Sequence, residues 1–308
     1  MRLNVYYDFC CDPEHVERAC QYCHVVVGGR IYNWIKAEYG RDIEVVPINY
    51  SGNTSVSSNK YSHFYTIIEN PDNNKYILIS YWDKLYNSVI VNGDGTWDYH
   101  NCVDVLAACG VHEDDFTYKP GDFEYFGTSM MSYYVECEHR IRDVYNKGKD
   151  RVFPDKMFFR GGYHLFRKYV ADYDDRFHID YINRISPSNF IDEINGNYVN
   201  IDINCVAEIT CRTPEIMGVG SALIRPRLGI SYYNRLIPDY HYCEVKCSNL
   251  ADYKELADAY YDAFNRLKND FDYVMFLSEN GRKYYLDNCT MDAHEAILKS
   301  RIDIKKLM

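Results

Sequence analysis

A chain of 308 residues, 47% hydrophobic and with a formal charge of −11, is long enough for one large or two ordinary domains with ample cores. The negative balance argues against a general binder of nucleic acid, for which a local basic groove would be needed. The sequence has no apolar run of about 18 residues and no signal-like stretch after its charged start, so a soluble, cytoplasmic chain without membrane contact is expected.

Leu3 to Tyr7 reads as a first strand ending at Asp8. Cys10, Cys11, Cys20 and Cys23, with His24, come next. Cys20-x-x-Cys23-His24 has the form of a haem attachment pattern, and the four thiols could instead hold zinc in a cysteine-rich interaction module. Buried thiols in a reduced compartment are the third reading, and twelve cysteines in a long chain without an export signal fit it. Gly28-Gly29 then reads as a turn before a helix from Ile31 to Tyr39, followed by a strand from Ile43 to Ile48. This is a βαβ beginning without a full dinucleotide fingerprint.

Ser51 to Asn59 is a polar loop, and Tyr76 to Ser80 an apolar strand with Asp83 just past its carboxyl end. A carboxylate framed by Tyr81 and Trp82 could act as a general base, or it could cap the segment that follows. Asp8 is a second candidate for the base. The group Asp94, Asp98 and His100 is a third and looks first like a turn. Cys102 to Gly110 is expected to be a short helix, Met130 to Tyr145 a longer one, and Asn146 to Arg151 a linker between domains.

The second half alternates short apolar runs with brief helices and glycine-marked turns, the grammar of a parallel α/β sheet, in which ligands sit at the carboxyl ends of the strands. Met157 to Phe159 is a strand, Arg160-Gly161-Gly162 a turn, and an amphipathic helix carrying Arg167 follows. Asp172, Asp174 and Asp175 read as a loop cap before a strand from Phe177 to Ile182 rather than as a metal site. After a strand at Val199 to Ile203 come Arg212, Thr213 as a cap, and a helix opening with Pro214 and Glu215. Free amides and an arginine at such a helix tip suit an anion, and Glu215 could accept from paired hydroxyls. The other reading is an ordinary capped helix. Gly218 and Gly220 read as close-approach positions before a strand from Ala222 to Ile224, and Ser248 or Asn249 as the cap of a long helix with Tyr253, Leu256, Tyr260, Phe264 and Leu267 on its core face.

Arg212-x-x-Glu215-x-x-Gly218-x-Gly220-Ser221 followed by an apolar strand resembles the donor-domain pattern of GT-B glycosyltransferases. Leu236, Pro238, His241, Tyr242 and Val245 are similar to a segment of the Rumi-like protein O-glucosyltransferase family. Phe158-Phe159-Arg160-Gly161 and Ser278 to Tyr285 are similar to the opening and closing elements of that family's donor domain. The likeness covers residues 157–290. It implies an α/β protein of GT-B fold, two Rossmann-like domains facing a central cleft. Residues 1–150 would be the acceptor side, 151–290 the donor-binding domain, and 291–308 a helix packing back on the first domain.

What the resemblance further implies is transfer of a sugar from a nucleotide donor, UDP-linked, to a hydroxyl, with no cofactor and no metal. Arg160, Gly161, Gly162, Arg167, Arg212, Gly220, Ser221 and Tyr242 would line the donor site, and Glu215 would hold ribose or sugar hydroxyls. Asp83 or Asp8 would deprotonate the acceptor. That acceptor would be a protein or glycan, or a hydroxymethylated DNA base if the source is viral, so nucleic acid enters only as acceptor.

Overall fold

The computed structural model describes residues 1–7, 22–49, 65–81, 101–107, 111–112, 126–127, 131–132, 134–147, 150–163, 165–181, 185–203, 210–227, 230–231 and 234–308. Asp8, Asp83, Asp94, Asp98, His100, Cys10, Cys11 and Cys20 lie outside them. The chain divides into two units: Met1–Tyr133 with Ile230–Asn234 and Met291–Met308, and Tyr134–Gly229 with Arg235–Thr290.

In the first unit, β1 (Arg2–Tyr7) is buried at every position from Leu3 to Tyr7, the pattern of a strand covered on both faces. Helix α1 (Cys23–Tyr39) leads to β2 (Glu44–Asn49), which pairs with β1 in parallel. Gly28 and Gly29 are not a turn but lie inside α1, both buried. A Cβ on Gly28 would stand 2.7 Å from Thr66 Oγ1 and 3.2 Å from Tyr7 Cβ, so the glycine is needed for close packing of helix on sheet. Strands β3 (Tyr65–Asn70) and β4 (Lys75–Ser80) form an antiparallel hairpin. β5 (Cys102–Ala107) runs parallel to β4, where the sequence suggested a helix. Cys102, Asp104 and Leu106 are buried along it, and β-branched Val103 favours the extended form.

The short strands β6 (Val111–His112) and β7 (Phe126–Gly127) follow, and the six-stranded sheet has the order β2-β1-β3-β4-β5-β7. The closing residues of the chain belong to this unit. There Arg30 pairs with Asp292 at 2.7 Å, Lys306 pairs with Asp104 at 2.9 Å, and Asn70 Nδ2 donates to the Leu307 carbonyl at 2.9 Å.

The second unit begins with α2 (Val135–Lys147) and continues through β8 (Met157–Arg160), α3 (Leu165–Tyr173), β9 (Phe177–Asp180), α4 (Pro187–Asn195) and β10 (Val199–Ile201). Then come α5 (Arg212–Val219) and β11 (Ala222–Pro226), and, after β12 (Ile230–Ser231), which belongs to the first unit and pairs there with β6, β13 (Cys243–Val245). Helices α6 (Tyr253–Lys268) and α7 (Phe271–Asn288) complete it, and α8 (Met291–Arg301) returns to the first unit.

β8 pairs with β9, and β10 with β11 and then β13, all in parallel. The lead-ins to β8 and β10 are joined by a parallel bridge between Val152 and Asn197, with Tyr198 N donating to Val152 O at 3.0 Å. Strands therefore succeed one another as β9, β8, β10, β11, β13, and the direction of winding reverses between β8 and β10. In open parallel sheets such a reversal leaves room for a ligand beyond the carboxyl ends of the two strands. The core beneath is apolar and continuous, with Met157, Phe159, Ile201, Ile224, Val245 and Leu277 almost wholly enclosed.

Two local expectations change in this unit. Helix α6 is capped by Asp252, which accepts from the amides of Lys254 and Glu255, while Ser248 bonds Glu255 instead. Arg151, read as the end of a linker, donates to the Val219 and Gly220 carbonyls and to Asn195, and so closes the carboxyl end of α5.

Candidate functional site

The carboxyl ends of β10 and β11 and the first turn of α5 meet around one buried carboxylate. Asp202 follows β10 and is fully enclosed. Its side chain accepts from Thr210 Oγ1 at 2.6 Å and from Thr213 Oγ1 at 2.5 Å, with the equally enclosed Arg225 guanidinium 3.6 Å away. Tyr260 donates to its carbonyl at 2.7 Å. An ion pair shut away from water persists only when its remaining hydrogen bonds are satisfied, and here two threonines and the guanidinium do so. The consequence is local: residues 210–213, and hence the tip of α5, are held in one place. Thr213 is thus not the helix cap. Its hydroxyl is committed to Asp202, the cap position is Cys211, and the Arg212 amide bonds Thr210 Oγ1 at 3.3 Å.

Arg212 opens α5. Its guanidinium carbon lies 4.6 Å from the Phe159 ring centroid and 5.3 Å from that of Phe190. A Cβ on Gly161 would come within 2.6 Å of Phe159 Cε1 and 3.2 Å of Arg212 Nη2, so a larger residue there would displace the ring on which the guanidinium rests. No carboxylate forms an ion pair with Arg212 among the described residues, and its Nε has no hydrogen-bond partner there. A guanidinium steadied by aromatic faces at a helix tip, with no ion pair among the described residues and only the inward carboxyl of Glu215 acting on it from within the helix, is suited to an anionic group such as a phosphate.

Other residues expected at a donor site take different parts. Arg160 is bound by Glu193 through two bonds of 2.8 Å and by Asp180 at 2.7 Å. Two carboxylates leave it no net charge to offer a diphosphate, and its role is to tie β8 to β9 and α4. Arg167 is buried, donates to the Ile203 carbonyl and stacks on Phe159 at 4.3 Å. Gly162 is exposed beside Gly161.

Gly220 and Ser221 lie at the far end of α5, a helix of eight residues and so about 12 Å long. Gly220 has φ of 77° as the left-handed terminus, and Ser221 Oγ donates to the Asn197 carbonyl at 2.8 Å. Both are therefore at the amino edge of the sheet and cannot share a ligand with the tip. Gly218 packs instead, since a Cβ there would meet Tyr285 at 3.0 Å and Ile141 at 3.1 Å.

Glu215 occupies the first turn of α5, as expected, but faces inward and is 2% exposed. Burial pushes its carboxyl up to about 7, opposed by the charge of Arg212 and a hydrogen bond with the Cys137 side chain. It does not present a carboxylate to ribose hydroxyls at the surface. Tyr242 is likewise buried, in front of β13, and burial pushes its hydroxyl up to about 12. Its segment forms a clamped turn. His241 Nδ1 accepts from the Ile237 amide at 2.8 Å, and burial lowers the imidazole to about 4. Asp239 bonds Arg266 at 2.8 Å and Tyr273 at 3.0 Å. In α7, Gly281 lies against the His241 carbonyl, which a Cβ would approach to 3.0 Å.

Asp202, Arg225 and Phe190 were not singled out from sequence. The available signal was Arg225 in the buried run Ala222–Pro226, since an arginine within an apolar strand requires an enclosed partner. Cys23, one of the four proposed zinc thiols, is buried at the start of α1, and among the described residues no cluster could hold a metal ion. No helix among them is long and apolar enough to cross a membrane.

No family model matches this chain, and no curated protein matches it either, so the Rumi-like resemblance gains no support from those comparisons. Among solved structures the chain is similar to sucrose-phosphate synthase from Thermosynechococcus elongatus, with a TM-score of 0.45 and 12% sequence identity. The match covers 72% of this chain and 65% of that one, less than two thirds of the enzyme's length.

Proposed function

We propose that this protein is a glycosyltransferase that moves a sugar from a UDP-linked donor to a hydroxyl of a protein or glycan, without a metal. One observation carries the reading. Arg212 stands without a carboxylate partner among the described residues at the tip of α5, beside Gly161 and between two aromatic rings. The motif series from Phe158 to Tyr285 places the same arginine in a donor-domain pattern.

In this reading Arg212 and the first amides of α5 receive the diphosphate and neutralise the charge that grows on it as the glycosidic bond breaks. Asp202, Arg225 and the two threonines keep that tip rigid, so little reorganisation is needed during the reaction. The acceptor hydroxyl loses its proton to a carboxylate, for which Asp83 and Asp8 are the candidates. Isothermal titration of the wild type and Arg212→Ala with UDP and UDP-sugars tests the proposal. Binding by the wild type that is lost in the variant supports it, whereas a wild type that binds no nucleotide removes it.

A further inference from the structure

Two tyrosines stand just past the carboxyl ends of β8 and β9. Arg160 and Asp180 are register partners, and the Gly161 amide donates to the Asp180 carbonyl at 3.1 Å, so the strand ends are locked side by side. The next residue of β9's chain is Tyr181, 46% exposed, and two residues after Gly161 comes Tyr163. Their rings lie 4.2 Å apart between centroids with 31° between planes. Tyr163 donates its hydroxyl to Asp172, which fixes the ring, and Lys168 Nζ is 5.8 Å from its centroid.

Strand register and a hydrogen bond rather than the core order this pair, so it offers a fixed, partly exposed aromatic surface. Parallel strands are about 4.8 Å apart. Gly161 lies against the Arg212 guanidinium and is hydrogen-bonded to Asp180, the residue before Tyr181, so the pair is on the order of 10 Å from Arg212. A nucleoside diphosphate spans such a distance, with a flat base at one end and anionic oxygens at the other.

We propose that the Tyr163–Tyr181 pair is the stacking surface for the nucleobase of the donor whose diphosphate sits on Arg212. This assignment rests on the donor-site reading above. A flat aromatic face stacks on a base without reading its edge, so the surface sets affinity more than the identity of the base.

The test titrates wild type, Tyr181→Ala, Tyr181→Phe and Arg212→Ala with UDP and with inorganic pyrophosphate, after circular dichroism of each variant. Tyr181→Ala is expected to bind UDP about tenfold more weakly and pyrophosphate as the wild type does, and Tyr181→Phe to bind both as the wild type does. Arg212→Ala should lose both. UDP affinity within twofold of wild type in Tyr181→Ala overturns the stacking proposal while leaving the donor site intact if Arg212→Ala still loses UDP. An equal loss of pyrophosphate in Tyr181→Ala also overturns it, because the effect would then be distortion rather than stacking. A wild type that binds neither probe removes the donor site and the stacking surface together.

Discussion

Arg212 and Arg167 share one aromatic ring, their guanidinium carbons 4.6 Å and 4.3 Å from the centroid of Phe159. Arg167 is committed to the Ile203 carbonyl, whereas Arg212 has no carboxylate partner among the described residues. In the proposed donor site the ring would hold one arginine for structure and one for the diphosphate. Arg212→Lys keeps the charge but loses the planar group that stacks on Phe159 and Phe190. Nucleotide affinity measured by titration should fall roughly tenfold in Arg212→Lys, and further in Arg212→Ala, with the unfolding midpoint in urea nearly unchanged.

Arg160 should behave in the opposite way. Bound by Asp180 and Glu193, it is already neutralised. Arg160→Gln is expected to lower stability by about 1 kcal/mol, since the pair is partly screened by water, and to leave nucleotide affinity within about twofold. A large loss of affinity with unchanged stability would restore it to the donor site.

Sequence patterns located much of the second unit. Phe158-Phe159-Arg160-Gly161, the apolar run after Ser221 and the periodic face of Tyr253 to Leu267 correspond to β8, β11 and α6. Periodicity also sets the limit of that reading, because it does not tell which end of a short helix meets a ligand. Arg212 and Gly220 belong to one motif in sequence, yet they stand at opposite ends of α5. Glu215 shows a second limit: a carboxylate in a first helical turn satisfies the dipole whether it faces water or the core. The Cys102–Ala107 strand was missed because a short apolar run carries no period that separates strand from helix.

Asp202 and Arg225 should be among the costliest residues to change. Asp202→Ala leaves a buried guanidinium and two threonine hydroxyls without their acceptor. A loss of about 3–5 kcal/mol is expected from urea unfolding. A loss below about 1 kcal/mol would show that the pair does not anchor the helix tip.

Glu215 makes stability depend on pH. Its carboxyl is raised in the folded chain from 4.5 to about 7, so the native state holds a proton that the unfolded state releases between those values. Its contribution is present below the unfolded value and is lost as pH rises through about 7. His241, lowered to about 4, acts in the other direction and loses its contribution as pH falls. Comparing wild type with Glu215→Gln isolates the carboxyl. The variant should be the more stable at pH 8, by on the order of 3 kcal/mol, and the difference should shrink towards pH 4.5. A constant difference across that range would contradict the assignment.

The first unit is assembled from separated stretches of chain, while the second is complete by Thr290. The contacts that Arg30, Asn70 and Asp104 make with Met291–Met308 can therefore form only after the residues of the second unit have been synthesised. Until then the first unit lacks those partners, a state in which a nascent chain is open to premature association.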